Sequence, residues 1–201
     1  MGKTTSATVR TNRERTETTR LALLDAARAL FVGKGYVDTS TPEIAVAAGI
    51  TRGALYHHFE DKRDLFRQVL QRESQAVAAD VEAAAPEQLS PREALLEGSK
   101  AYLNAMTAPG RTRLLLIDGP AVLGMEEIMA LDDTTSAASL RQGLERADVG
   151  RDEASLDALT PLLSAAFDRA ALAIDAGADA EETRTAMLWL LERALGPARQ
   201  P

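Results

Sequence analysis

Cysteine is absent from the 201-residue sequence, which excludes disulfide bonds and thiolate metal sites. Aromatic residues account for only 4% of the chain while alanine and leucine abound, and this composition favours helices over sheets. No apolar run approaches the length of a membrane span, and segment 1–20 is too polar for a secretory signal. We therefore expect an all-α protein that is located in the cytoplasm and does not enter a membrane.

Patterns that would indicate catalysis or metal binding are missing as well. The two histidines, His57 and His58, are adjacent. Neighbouring side chains of a helix point about 100° apart, so the pair cannot share a metal as residues four apart can. No glycine-rich phosphate loop follows a strand pattern, and acidic pairs such as Glu126-Glu127 are typical of solvated helix faces. The sequence predicts no catalytic residue, no metal and no cofactor.

Charge is divided unevenly along the chain. The net charge is −7 overall, but residues 1–72 hold 12 Lys/Arg and 8 Asp/Glu, a net of +4. Residues 73–201 hold 11 Lys/Arg and 22 Asp/Glu, a net of −11. A basic head on an acidic body is typical of a protein that contacts nucleic acid with one end.

Segment 41–62 reads TPEIAVAAGITRGALYHHFEDK, a pattern that predicts two short helices joined by a tight turn. Thr41 is predicted to cap the first helix, because Pro42 then occupies the first helical position, where its missing N–H costs least. Gly49 is expected to end that helix with a positive φ, and Thr51 to cap the second helix. Two helices that cross at a glycine-containing turn form a helix-turn-helix.

The second helix of this pair has one face suited to a DNA groove. Leu55 and Phe59 lie four residues apart and face the core, which leaves the opposite face exposed. There Arg52 can contact guanine, His57 can read a base edge, and Tyr56 can reach a phosphate. The predicted DNA contacts are Thr41, Thr51, Arg52, Gly53, Tyr56, His57, His58 and Lys62. A helix-turn-helix used only for packing is the alternative, and this combination of side chains disfavours it.

The same part of the chain resembles the DNA-binding domain of the tetracycline-repressor (TetR) family of bacterial transcription regulators. The resembling residues are Leu21-x-x-Leu24-x-Ala26-Ala27-x-x-Leu30-Phe31, Gly35-Tyr36, Thr41-x-x-x-Ile44-Ala45-x-x-x-Gly49-Ile50 and Gly53-Ala54-Leu55-Tyr56-x-His58-Phe59-x-Asp61-Lys62. They cover roughly residues 16–70 and are specific because many positions agree at fixed spacing. The rest of the chain is similar to the family only in being a helical domain of the expected length.

The expected organisation is an N-terminal three-helix domain followed by a larger helical domain. We expect a flexible basic arm at residues 1–13, a helix-turn-helix DNA-binding domain at 14–62, and a helical ligand-binding and dimerisation domain at 63–201. The arm is either a solvated tail or a segment that follows the minor groove of DNA. Phe31, Tyr36 and Phe59 are expected to form a small aromatic core around the helix-turn-helix.

Start and stop signals predict several further helices. Ser90, Pro91 and Glu93 have the spacing of a capping box, Asp179 is expected to cap the last helix, and Gly119-Pro120 is expected to separate two helices. The predicted helices span residues 14–32, 62–85, 92–107, 111–118, 121–131, 137–147, 153–176 and 180–195.

The last two predicted helices carry more apolar surface than one neighbouring helix can bury. Burial in the core of a single chain is one explanation. The other is a homodimeric four-helix bundle, which the family resemblance implies. The residues predicted for that dimer interface are Leu156, Leu159, Leu163, Phe167, Ala170, Met187, Leu190 and Leu191.

A ligand pocket in the larger domain is implied by the resemblance alone, because family members bind small molecules among these helices. The residues predicted to line it are Tyr102, Met106, Leu116, Leu123, Met125, Met129 and Phe167. Apolar residues at helical spacing also fit an ordinary core, so that alternative stays open. The effector is unknown from the sequence; the acidic body hints at an apolar or cationic molecule.

Together these patterns and the family resemblance predict a transcriptional repressor that binds a palindromic double-stranded DNA operator as a homodimer and is released by a small-molecule effector. The alternative is a helical adaptor or ligand-binding protein whose basic head docks a protein partner. Salt-sensitive binding to DNA separates the two.

Overall fold

The computed structural model describes residues 12–86, 88–147 and 153–196. Within those ranges every regular element is a helix, which confirms the all-α class. The chain divides into two compact units, Met1–Val69 and Leu70–Pro201. Most of the predicted basic arm lies outside the described residues.

The described residues of the first unit form three helices and the start of a fourth. They are α1 (Asn12–Lys34), α2 (Thr41–Ala47), α3 (Arg52–His58) and α4 (Lys62–Ala83), and the division between the units falls inside α4. Helix α1 is longer than predicted because Gly33 lies within it. The helix ends before Gly35, whose φ of 83° is the left-handed conformation that stops a helix.

Helix α2 is capped one residue earlier than predicted. Ser40 is the N-cap: its hydroxyl accepts from the N–H of Glu43 at 3.4 Å, and the Glu43 carboxylate accepts from the N–H of Ser40 at 3.0 Å. This reciprocal pair is a capping box. The prediction that Thr41 caps the helix is wrong, because Thr41 is already its first residue.

The turn between α2 and α3 has the predicted geometry. Gly49 has a φ of 68°, and the N–H of Ile50 donates to the carbonyl of Ala45 at 2.9 Å, which closes the turn. Thr51 caps α3 by accepting from the N–H of Ala54 at 3.2 Å. Leu55 and Phe59 are buried, so the inward face of α3 is confirmed.

Three aromatic rings pack together inside the first unit. The rings of Phe31 and Tyr36 lie 5.8 Å apart, and the ring of Phe66 lies 5.0 Å from each of them. The prediction that Phe59 completes this group is wrong. Phe59 is buried, but its ring lies beside that of His58, with 6.2 Å between centroids.

The second unit is a bundle of helices around an apolar core. Its elements are α5 (Pro91–Met106), α6 (Arg111–Arg113), a π-helical segment (Leu114–Asp118), α7 (Gly119–Leu123), α8 (Met125–Asp132), α9 (Ser136–Arg146), α10 (Glu153–Asp175) and α11 (Ala180–Leu195). The predicted capping box of Ser90 and Glu93 is confirmed, as is the Asp179 cap of α11. Helix α10 packs against α9 and α11, and α5 packs against α9.

The helical path continues through Gly119-Pro120, where a break was predicted. Gly119 donates its N–H to the carbonyl of Leu114 five residues back, and this wider turn precedes Pro120, which has no N–H to place. A Cβ at Gly119 would lie 3.0 Å from Ile128 Cδ1, so the glycine also permits close packing. The helical path is interrupted instead at Gly124, where φ is 88°.

Candidate nucleic-acid interface and the cavity of the second unit

The exposed face of α3 is the candidate nucleic-acid interface. Arg52, Gly53, Tyr56 and His57 are exposed, and His58 is half-buried. The guanidinium carbon of Arg52 lies 5.7 Å from the centre of the Tyr56 ring, a distance at which a cation–π attraction aligns the two side chains. The structure therefore brings the predicted base-reading and phosphate-reading side chains together on one surface.

The hydroxyl group of Tyr56 is tied to the preceding helix. It shares a hydrogen bond of 3.0 Å with the hydroxyl of Thr41, which is almost buried. That hydrogen bond, helped by Arg52, lowers the pKa of Tyr56. Thr41 therefore faces α3, and its side chain helps to position Tyr56.

The ammonium group of Lys62 is bound inside the first unit. It donates to the carbonyl oxygens of Tyr36 and Thr39, both at 2.9 Å, and lies 4.2 Å from the centre of the Tyr36 ring. An ammonium has three hydrogens, so one remains for the phosphate contact that the sequence predicts. Removing Lys62 would therefore also loosen the segment between α1 and α2.

The start of α2 carries a strongly ionised carboxylate. Lys34 donates to Glu43 at 2.5 Å, and Ser40 donates to it through its hydroxyl at 2.8 Å. These two hydrogen bonds lower the pKa of Glu43 to about 2. The capping box of α2 thus keeps its charge at any physiological pH.

A cavity of about 830 Å³ lies among α4, α5, α9 and α10 of the second unit. Its walls include Ala78, Val81, Leu95, Gly98, Ser99, Tyr102, Thr134, Thr135, Ser139, Leu140, Ser164 and Phe167. Of the seven predicted pocket residues, Tyr102 and Phe167 line it. Met106 lines a separate cavity of about 260 Å³, and Leu123 is buried.

The other three predicted pocket residues lie elsewhere. Leu116 packs half-buried against the apolar core, whereas Met125 and Met129 are 61% and 56% exposed. The cavity wall therefore differs from the predicted set, because it comes from α4, α5, α9 and α10 rather than from the segment 111–131.

Two half-buried carboxylates are hydrogen-bonded to residues of the cavity wall. Tyr102 donates to Asp168 at 2.6 Å, and Ser164 donates to Asp132 at 3.2 Å. Burial raises the pKa of Asp168 to about 6, and burial likewise raises the pKa of Asp132. Burial and the neighbouring Asp168 raise the pKa of Tyr102. The hydroxyl of Tyr102 therefore stays protonated and donates a hydrogen bond to the carboxylate of Asp168.

Most residues predicted for a dimer interface are already buried within one chain. Leu156, Leu163, Phe167, Ala170, Met187 and Leu191 all belong to its own apolar core. Leu159 is half-buried, and Leu190 is 41% exposed. The large apolar side chains that α10 and α11 do expose are Leu162 (69%), Trp189 (57%) and Leu190. Any partner surface on these helices must therefore be built around those three.

Among residues 12–86, 88–147 and 153–196, no three His, Asp or Glu side chains are grouped as a metal site would require. Within the same ranges, none of the helices has both the length and the apolar character needed to cross a membrane.

Two family models match the chain. The family described as "Bacterial regulatory proteins, tetR family" matches residues 23–69, which include α2 and α3. The family described as "Tetracyclin repressor-like, C-terminal domain" matches residues 92–197, more than half of the chain.

Curated relatives match over less than a third of the chain. The transcriptional regulator AcrR of Shigella flexneri is 48% identical over 60 residues, which are 30% of this chain and 28% of AcrR. The transcriptional repressor BepR of Brucella suis is 48% identical over 63 residues, or 31% and 30% of the two chains. The match thus covers less than a third of the length of each of these relatives.

Solved structures match over nearly the whole chain. A TetR-family transcriptional regulator of Pectobacterium atrosepticum is 30% identical, with 94% of this chain and 100% of that chain covered and a TM-score of 0.69. The regulator LfrR of Mycobacterium smegmatis, solved in complex with proflavine, shares the fold at 21% identity, with 93% and 99% covered and a TM-score of 0.61.

The hydrogen bond between Thr41 and Tyr56 predicts that the two side chains are coupled in stability. We expect Thr41→Val and Tyr56→Phe each to lower the free energy of unfolding by about 0.5–1.5 kcal/mol, and the double variant to cost little more than either single one. Urea denaturation of the four proteins measures the coupling. Additive losses would mean that the two hydroxyl groups act independently.

The raised pKa of Asp168 predicts a stability effect with a defined sign. A folded-state pKa above the ordinary value of 3.8 means that ionisation opposes folding, so wild-type stability is lost as pH rises from about 4 through 6. We expect Asp168→Asn to be more stable than wild type by about 1–3 kcal/mol above pH 7, with no such gain below pH 4. Urea denaturation across this pH range measures the difference. A gain that does not depend on pH would contradict the assignment.

Proposed function

The chain belongs to the tetR family of bacterial regulatory proteins, and from that premise we propose that it is a sequence-specific DNA-binding transcription regulator. The observation that carries the proposal is the face of α3, where Arg52, Tyr56 and His57 are exposed side by side. That face lies within residues 23–69, the part that matches the family of regulatory proteins. The +4 charge of residues 1–72 favours its approach to a phosphate backbone.

In the proposed complex α3 lies in the major groove. Arg52 donates two N–H groups to guanine, and His57 contacts an adjacent base edge. Gly53 has open space around its Cα, so the helix backbone can come close to the DNA. Thr51 and the third hydrogen of the Lys62 ammonium contact phosphates, which fixes the register of the helix without reading sequence.

The proposed regulator acts as a homodimer in the cytoplasm. Leu162, Trp189 and Leu190 supply large exposed apolar side chains on two neighbouring helices, α10 and α11. A pair of such helices from each chain can form a four-helix interface with two-fold symmetry. Two-fold symmetry then requires a palindromic operator, with half-sites about 34–36 Å apart or somewhat wider.

The proposed mode of control is release from DNA by a small-molecule effector. The cavity of about 830 Å³ is large enough for such a molecule. The structure of LfrR with proflavine supports a small-molecule partner, and the name of BepR supports repression. An effector that binds better to a conformation with low DNA affinity shifts the population away from the operator.

The test of DNA binding compares specific and control duplexes. Fluorescence anisotropy is measured on labelled DNA from upstream of the gene that encodes this chain and on a shuffled duplex of the same composition, at two salt concentrations. We expect preferential binding to the upstream DNA, and we expect Arg52→Ala and His57→Ala each to reduce the discrimination by about 1–3 kcal/mol.

The matched control for those variants is Lys100→Ala. It removes an exposed cation from α5 of the second unit and should leave binding unchanged. Equal discrimination in all variants would remove Arg52 and His57 from base reading. No salt-sensitive binding to either duplex would favour the alternative of a helical adaptor that docks a protein partner.

Placing a charge on the proposed dimer surface should separate the protomers. We expect Leu190→Asp to dissociate the dimer and to weaken operator binding, because an unpaired carboxylate cannot be buried in an apolar interface. Sedimentation velocity measures the mass of the particle. Met129→Asp is the control, since Met129 is similarly exposed on α8, and it should leave the mass unchanged. A Leu190→Asp variant that stays dimeric would contradict the proposed surface.

A further inference from the structure

Six of the hydroxyl groups that line the cavity direct their hydrogens into the protein. Tyr102 donates to Asp168 and Ser164 to Asp132. Four more lining hydroxyls donate to backbone carbonyls at 2.7–3.2 Å, namely those of Ser99, Thr134, Thr135 and Ser139. A hydroxyl has one hydrogen and two lone pairs. Each of these six groups can therefore offer a ligand only lone pairs.

Apart from the half-buried Ser136, the lining side chains that can donate to a ligand lie at exposed positions. Gln75, Gln142 and Arg146 are exposed, as is the lining carboxylate of Glu82. Among the described residues, the charged groups at the mouth are thus one cation and one anion, and they favour neither sign of ligand. The selectivity of the cavity must come from its inner wall.

Two carboxylates without a cationic partner in the described part of the chain, Asp132 and Asp168, lie next to that inner wall. Asp168 accepts from Tyr102, and Asp132 accepts from Ser164 and from the N–H of Ala137 at 3.3 Å. In the part of the chain that the structure describes, no Lys, Arg or His forms an ion pair with either carboxylate. A positive charge in the cavity would be attracted to both carboxylates across surroundings that screen poorly.

The wall also offers an aromatic and apolar surface. The rings of Tyr102 and Phe167 lie 5.7 Å apart in an edge-to-face arrangement, and Leu95, Leu140 and Val81 lie on the same wall. Such rings attract cations to their faces, and the aliphatic side chains suit an apolar body.

We propose that this cavity selects organic ammonium ions, in which N–H donors are joined to an apolar or aromatic body. The proposal rests on the proposed function only in that such an ion would be the effector of the regulator. The N–H groups of the ligand donate to the oxygen atoms of Tyr102 and Ser164, whose own hydrogens are held by the two carboxylates. A carboxylate ligand is excluded because it would bring a third negative charge to a wall of acceptors.

The test compares four probes that differ only in their head group. They are 2-(1-naphthyl)ethylammonium, its N,N,N-trimethyl analogue, the corresponding alcohol and the corresponding carboxylate. Isothermal titration calorimetry on the full chain measures the affinity of each at pH 7.5. We expect the ammonium to bind at least about tenfold more tightly than the alcohol, because a charge-assisted hydrogen bond replaces a neutral one. The trimethyl analogue should be intermediate and the carboxylate weakest.

Two variants distinguish the contribution of the Asp168 carboxylate to binding from that of the Tyr102 hydroxyl. Asp168→Asn keeps the size of the side chain and an acceptor for Tyr102 but removes one of the two charges, so the preference for the ammonium over the alcohol should fall. Tyr102→Phe removes the lining oxygen and should weaken the ammonium more than the trimethyl analogue. Glu192→Gln removes an exposed carboxylate of α11 that does not line the cavity and should change nothing. Urea denaturation of each variant separates a loss of binding from a loss of folding.

The outcomes distinguish this proposal from the proposed function. A preference for the carboxylate or alcohol, an ammonium affinity unchanged by Asp168→Asn, or no binding of the ammonium at millimolar concentration would overturn the ligand class. DNA binding by the same samples without any probe is measured in parallel. If DNA binding persists while the ammonium preference fails, only the ligand class is wrong. If the preference for the ammonium holds while no DNA is bound, the proposed function as a regulator is wrong and the proposed ligand class stands.

Discussion

The position of the Lys62 ammonium is the constraint on which the proposed DNA-reading surface depends. It lies at the start of α4 and is held by two carbonyl oxygens of the segment between α1 and α2. Hydrogen bonds from a charged donor are roughly twice as strong as neutral ones. They fix the segment that leads into the Ser40 cap of α2, and α2 in turn holds α3 through Thr41 and Tyr56. The exposed face of α3 is thus set by a chain of contacts that begins at the start of α4.

Local signals in the sequence were sufficient for most of the fold and for the exposed face of α3. Gly49, Thr51 and the Ser90–Glu93 pair act within a few residues, so their consequences are visible in a short window. The cap of α2 could also have been predicted, because Ser40 and Glu43 have the same spacing as Ser90 and Glu93. Partners in three dimensions were not predictable in this way. The aromatic cluster contains Phe66 rather than Phe59 because α4 returns over α1.

In the second unit, even fewer of the partners in three dimensions could be predicted from the sequence. The apolar stripes of α10 and α11 indicate burial but not whether the partner is the same chain or another, and most of that stripe is buried within one chain. The cavity wall comes from four helices far apart in sequence, so only Tyr102 and Phe167 were found among its residues. The hydroxyl hydrogens of Ser164 and Tyr102 point to Asp132 and Asp168, and no sequence motif connects these pairs.

Selection of DNA from a random duplex library by the full-length chain tests the central claim most directly, because the library contains every candidate half-site and no operator has to be chosen in advance. The account predicts that the recovered sequences converge on one consensus with two-fold symmetry, as a pair of α3 helices related by a dyad requires. Recovery of unrelated sequences through salt-sensitive affinity alone would contradict sequence-specific reading by α3. Failure of the folded chain to recover any DNA at low salt would contradict the function as a DNA-binding regulator.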